Sequence, residues 1–287
     1  MSAVFPHVTI LGGGLLGGSL ALALENGTAA PEVRLWARRK ESADSARERG
    51  IAGATSDLAE AVSAADLVVL AVPVGSMPAL VSLALEAGLP DGCLVTDVGS
   101  VKRAPHQTIP PLFAGRDIEF IGSHPMAGSE RTGIAAINPR LFEQAACLLT
   151  NDEGVSQARA GALEEFWQGV GCRTAWMSAP IHDELVARIS HLPHIVAAST
   201  ARICIRDSKE GRFGGGGLRD TTRVASGNPE MWTEIVQENR EAVAGPLREL
   251  IADLGALLGN LENGDHEATL RWLSEGKLQR DQLLSLG

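Results

Sequence analysis

The chain has 287 residues, a length for two domains or for one large domain with an appendage. Hydrophobic residues make up 45% and charged residues 21%, enough for a packed core, while a net charge of −10 argues against a nucleic-acid footprint. There is no tyrosine, which excludes the short-chain reductases that work through a Tyr/Lys pair.

The N-terminal "MSAVFPHVTI" has no basic n-region and no apolar signal core. The most apolar stretch, Leu67 to Leu89, is broken by Pro73, Gly75, Pro78 and Gly88, so it reads as strand, turn and helix rather than a membrane span. Cys93, Cys147, Cys172 and Cys204 lie far apart without CxxC spacing, as in a reducing compartment. A cytoplasmic protein without membrane or nucleic-acid partners is expected.

"HVTILGGGLLGGSLALALENG" is a short apolar run, a glycine cluster and a helix-permissive segment. Gly12, Gly14 and Gly17 fit G-x-G-x-x-G in the strand-to-helix setting that gives the pattern meaning. Gly12 allows the tight turn, Gly14 admits a pyrophosphate, and Gly17 lets helix pack on strand, with free N–H groups facing the anion. The second strand, "EVRLWARRK", ends on Ala37, Arg38 and Arg39, and Glu32 lies at its wrong end to hold a ribose hydroxyl. A small residue followed by two arginines suits a 2′-phosphate, which favours NADP over NAD. The alternative is that these arginines form a solvated loop.

Alternation continues through "ADLVVLAVP", a helix reaching Ala84, and "GCLVTDVGSVK", a strand leading to Ser100. "IEFIGSHP" reads as one further strand that delivers His124 at its carboxyl end. Open parallel sheets bind ligands at that end, so Ser100 and His124 are expected to face one crevice.

From about Pro180 the pattern turns helical. "IHDELVARISHLPHIVAASTARIC" carries Ser190 and His194 on one face, with Pro193 expected to kink the helix. His191 falls on another face and reads as structural. No cysteine or acid at ligand spacing completes a zinc site with His124, His191 and His194, so no metal is expected. "FGGGGLRDTTRVASGNPEMW" sets Arg219 and Arg223 beside a glycine run, where a bidentate fork for a carboxylate or an interdomain salt bridge are both open. "NPEMWTEIVQENREAVAGPLRELIADLGALLGNL" and the tail read as further helices.

Four blocks together resemble the prephenate dehydrogenase family, including its arogenate-using members: the glycine fingerprint, "DVGSVK" with "GSHPMAGSE", "HDELVARISHLPH", and "GGGGLRDTTRVASGNPEMW". The resemblance implies a Rossmann-like dinucleotide-binding domain (residues 1–179) followed by an all-helical substrate and dimerisation domain (180–287), hence an α/β plus all-α fold and a homodimer. It implies NAD(P)-dependent oxidative decarboxylation of prephenate or arogenate to 4-hydroxyphenylpyruvate or tyrosine, within tyrosine biosynthesis.

Carried over residue by residue, His124 matches the acceptor of a hydrogen bond from the substrate C4 hydroxyl, and Ser100 the serine beside it and the nicotinamide. Arg223 matches the arginine that grips the ring carboxylate. Ser190, His194, Gly216 and Trp232 match pocket-lining positions, and Glu130 and Asp220 an ionic network at its mouth. Cofactor contacts are expected from Gly12, Gly14, Leu15, Leu16, Gly17, Arg38, Arg39, Val72 and Ser100.

The first strand starts within about ten residues of Met1 and the chain ends at Gly287, so neither a preceding chorismate mutase domain nor an appended regulatory domain is expected. Rivals are a β-hydroxyacid dehydrogenase and a non-catalytic NADP-binding regulator. The first needs a G-x-x-x-K-x-x-N helix, yet no lysine occurs between Lys102 and Lys209. The second has no use for His124, Ser100 and Arg223 together.

Overall fold

The computed structural model describes residues 3–27, 31–128 and 133–285. "HVTIL" forms β1 (His7–Leu11), buried on both faces as a central parallel strand must be. There follow α1 (Leu15–Glu25), β2 (Glu32–Trp36), α2 (Lys40–Glu48), β3 (Ala54–Thr55), α3 (Leu58–Val62), β4 (Leu67–Leu70), α4 (Met77–Glu86) and β5 (Leu94–Asp97). After α5 (Arg103–Thr108), the two-residue β6 (Glu119–Phe120) completes an all-parallel sheet of order β3-β2-β1-β4-β5-β6. The order reverses between β1 and β4, the position where sheets of this kind open a ligand crevice. Alternate side chains feed two cores: Ile10, Leu20, Leu35 and Trp167 gather in one, Leu11, Leu70, Val81 and Phe120 in the other.

The segment read as one strand is two. Ile121 still donates to the Val95 carbonyl of β5, but β7 (Gly122–Pro125) leaves that ladder and pairs antiparallel with β8 (Ala146–Thr150). The cause is Asp97, whose carboxylate accepts the Ser123 N–H at 3.1 Å where a backbone carbonyl would continue the sheet. A Cβ on Gly122 would lie 2.4 Å from Thr150 Oγ1, so only glycine lets the strands cross here. Past α6 (Gln157–Gly169), β9 (Arg173–Trp176) joins β8 in parallel to finish a second, three-stranded sheet. His124 therefore sits on this small sheet, not at the end of a strand of the large one.

The helical half begins with α7 (Ala179–Val186), capped by Ser178, whose hydroxyl accepts from Ile181 N–H. α7 runs without a break into a π-helical turn at Ala187–His191 and on into α8 (Leu192–Cys204), so the regular ladder is interrupted just before Pro193, which has no N–H to give it. α9 (Ser208–Gly211), α10 (Gly216–Thr222) and α11 (Pro229–Glu238) follow, the last capped by Asn228.

By compactness the chain divides into one unit ending at Asn239 and another starting at Arg240. α7 to α11 thus group with the two sheets. The second unit is α12 (Arg240–Glu262) and α13 (His266–Ser285), joined through Gly264 at φ 65° and tied by Trp272 Nε1–H donating to Asp253 at 3.0 Å. Among the described residues no helix is long and apolar enough to cross a membrane.

Candidate active site

The glycine loop shows why each glycine is needed. Gly12 has φ +128° and a Cβ there would lie 2.3 Å from the Ala71 carbonyl oxygen; one on Gly17 would lie 2.0 Å from the Gly12 oxygen. Gly14 differs, because a Cβ there meets nothing within 4 Å and would project into open space. It precedes α1, whose first N–H groups have no side-chain cap. A cradle that a side chain would fill, at an uncapped helix start, fits the pyrophosphate of a dinucleotide. Arg38 and Arg39 follow β2 beside this loop, exposed and without an ion pair to any described residue.

Gly14, Leu15, Leu16 and Val72 line a cavity of about 560 Å³ that extends past Ser100 and His124 to Ser190, Arg223 and Trp232. Ser100 is held there by its neighbours in "DVGSVK". Asp97 and Lys102 are fully buried and paired at 2.5 Å, and Lys102 also donates to the Gly99 and Val101 carbonyls. Asp97 in turn accepts the Gly99 N–H at 2.8 Å. An ion pair so closely satisfied clamps the turn that presents Ser100.

His124 is buried except where it borders the cavity. Its Nδ1 lies 2.9 Å from His182 Nε2, and His182 Nδ1 lies 2.8 Å from Asp183 Oδ1. Burial, then His182, Lys102 and His191 nearby, hold the His124 imidazole well below the ordinary histidine range. It is neutral at neutral pH, the state a proton acceptor needs.

His182 and Asp183 were not singled out in the sequence, although "HDE" opens one of its diagnostic blocks. The signal was available in Asp183: an acid at an otherwise apolar helix position. His191 also departs from expectation, for it lines the cavity while Asn239 Nδ2 holds its Nδ1 at 3.1 Å.

The remaining expected residues divide. Ser190 and Arg223 border the cavity, as does Trp232. His194 lies behind Trp232 rather than on the cavity surface, its ring stacked on the indole. Gly216 and Asp220 are on α10, exposed and away from the lining. Glu130 lies outside the described residues.

The glycine cradle and the buried imidazole open onto the same cavity, so a group reacting at His124 would lie beside a bound dinucleotide. That arrangement defines an oxidoreductase of the Rossmann class. A family model described as the nucleotide-binding domain of prephenate dehydrogenase matches residues 20–176, and one described as its dimerization domain matches 178–275. The chain belongs to the prephenate dehydrogenase family. It is 32% identical over 283 residues to a cyclohexadienyl dehydrogenase of Zymomonas mobilis, covering 96% of each chain. Its structure resembles that of Aquifex aeolicus prephenate dehydrogenase in complex with hydroxyphenyl propionate and NAD+, with a TM-score of 0.87, 28% identity and coverage of 99% and 98%. It also resembles Synechocystis arogenate dehydrogenase, with a TM-score of 0.80, 28% identity and coverage of 96% and 99%.

Proposed function

We propose that the protein catalyses the NAD(P)-dependent oxidative decarboxylation of prephenate or arogenate. The observation that carries this is the single cavity in which the Gly14 cradle, Ser100, a neutral His124 and Arg223 converge. When bound, the nicotinamide supplies the acceptor for hydride from C4 of the ring. His124 accepts the C4 hydroxyl proton as that carbon becomes electron-poor, in the manner of a general base. The electron pair of the bond between ring and carboxylate then enters the ring, carbon dioxide leaves, and an aromatic product remains.

Arg223 supplies a planar fork for the ring carboxylate. Ser100, fixed by the Asp97–Lys102 clamp, orients the hydroxyl between His124 and the nicotinamide. Ser190 and Trp232 shape the wall, with His194 acting behind the indole. On family resemblance Gly216 is assigned to the pocket lining, and Asp220 and Glu130 to an ionic network at its mouth. Arg38 and Arg39 favour NADP, because both are exposed at the end of β2 and form no ion pair with any described residue.

The matched dimerization model supports a homodimer. So does the exposed stripe Ile251, Leu254, Leu258 and Leu261 on α12, an apolar face at helical spacing. The two family models meet near residue 177, which supports a domain boundary at 179/180. Four free cysteines support residence in the reducing cytoplasm. Turnover of either substrate by the purified protein, lost in His124→Asn, tests the assignment.

A further inference from the structure

Behind His124 a chain of buried polar groups runs away from the cavity. His182 is fully buried and Asp183 is 1% exposed. The Asp183 carboxylate accepts three hydrogen bonds: His182 Nδ1–H at 2.8 Å, Lys102 N–H at 2.7 Å and Arg103 N–H at 3.0 Å. Burial pushes this carboxyl up, but those three donors outweigh it and hold it below the ordinary carboxylate range. Asp183 is therefore ionised and can only accept.

That fixes every proton in the chain. His182 must donate from Nδ1 to the carboxylate, which leaves its Nε2 as a bare acceptor when the ring is neutral. His124 must then donate from Nδ1 to His182 Nε2. A neutral His124 so engaged has its lone pair on Nε2, the nitrogen left to the cavity that the ring borders. The opposite tautomer would set two lone pairs against each other at 2.9 Å.

We propose that Asp183, acting through His182, is a positioning residue that selects the catalytic tautomer of His124 and stabilises the imidazolium formed when the substrate proton arrives. The inference rests on His124 being the proton acceptor. The proton leaves the C4 hydroxyl oxygen and binds His124 Nε2. The Nδ1 proton of His124 can then shift to His182 Nε2, moving the positive charge one ring closer to the Asp183 carboxylate. No proton leaves the chain, and charge is conserved at each stage.

The interposed ring has a physical use. A carboxylate in direct contact with His124 would stand close to the carboxylates of an anionic substrate and repel them. Two rings place it beyond, with Lys102 and its partner Asp97 facing the same cluster from the β5 loop and His191 from the π-turn. Lys102 lies near enough to His124 and His182 to favour their neutral forms. Burial, the second ring and the ammonium keep His124 neutral at rest, while the acid beyond them favours the imidazolium once a proton arrives.

Two measurements test this. Side-chain ¹⁵N NMR of the unmodified protein reads the tautomer directly: protonated Nδ1 and bare Nε2 on His124 are expected, and a protonated Nε2 overturns the proposal. In kinetics, Asp183→Asn places an amide where only an acceptor fits and is expected to lower kcat by roughly 10²–10⁴ with KM changed less than about threefold, as for a triad acid turned to its amide. His182→Gln, whose side-chain oxygen can still accept from His124, should retain at least about tenfold more kcat than His182→Ala. Wild-type kcat in Asp183→Asn and His182→Ala, with His124→Asn inactive, overturns the relay and leaves the base intact. Full activity in His124→Asn instead removes the base itself.

Discussion

The ring of His194 lies flat on that of Trp232, centroids 3.6 Å apart and planes 9° from parallel. The indole borders the cavity, and the imidazole does not. His194 therefore acts on substrate through the wall it braces. Gly227 completes the sandwich, since a Cβ there would lie 2.4 Å from Trp232 Nε1 and 3.2 Å from His194 Cε1. His194→Ala is expected to raise substrate KM by roughly 2–10-fold with kcat little changed, the effect of losing an aromatic pair of ~0.5–1.5 kcal/mol. A collapse of kcat at unchanged KM would instead place His194 in the chemistry.

The glycine fingerprint separates into structural and ligand-facing positions, and two variants distinguish them. Gly17→Ala drives a Cβ to 2.0 Å from a backbone oxygen and should cost about 1–3 kcal/mol or more of stability, visible as a lower melting temperature. In Gly14→Val the Cβ has no protein atom within 4 Å, and the backbone there is extended, which valine adopts. It should melt normally yet bind dinucleotide at least about tenfold more weakly, the loss of one charge-assisted contact. Normal cofactor titration of Gly14→Val would remove the cradle from the cofactor site.

Arg38→Ala with Arg39→Ala tests cofactor choice. Replacing both should raise KM for NADP by about 10–100-fold, as expected for charge-assisted hydrogen bonds to a phosphate, and leave KM for NAD within about threefold. Equal effects on the two cofactors would mean that these arginines do not meet a 2′-phosphate.

Much of this site was legible in the sequence because its devices are local. Gly12, Gly14 and Gly17 sit within one turn, and their spacing states the backbone geometry they permit. Ser100 and His124 stand beside small residues at strand ends, which marks them as presented rather than packed. What escaped is what depends on long-range pairing. "IEFIGSHP" has the pattern of one strand, and only the Asp97 side chain, 26 residues away from Ser123, divides it between two sheets. His182 meets His124 across 58 residues of chain, a contact that helical periodicity cannot express. The π-turn at Ala187–His191 likewise rotates Ser190 and His191 together toward the cavity, although regular α spacing puts them on different faces.

The buried imidazoles make stability fall on the acid side. Burial holds His124, His182, His191 and His194 below the ordinary value of 6.5, His191 at about 4. Between those values the unfolded chain binds protons that the folded chain refuses, so acid favours unfolding. For His191 alone the whole interval amounts to on the order of 3 kcal/mol. Asp183, held below the usual carboxylate value, loses its contribution lower still, in the same direction. The melting temperature should drop steadily from about pH 6.5 to about pH 4. A flat profile across that interval would mean the rings are not buried as neutral groups.

The most direct test of the central claim is the initial rate of nicotinamide reduction by the purified protein, with prephenate and arogenate each paired with NAD and with NADP, alongside His124→Asn. The account predicts turnover in at least one pairing, faster with NADP, and a loss of roughly 10²–10⁴ in kcat for the variant at nearly unchanged KM. Cofactor binding without turnover of either substrate, or an undiminished rate in His124→Asn, would contradict it.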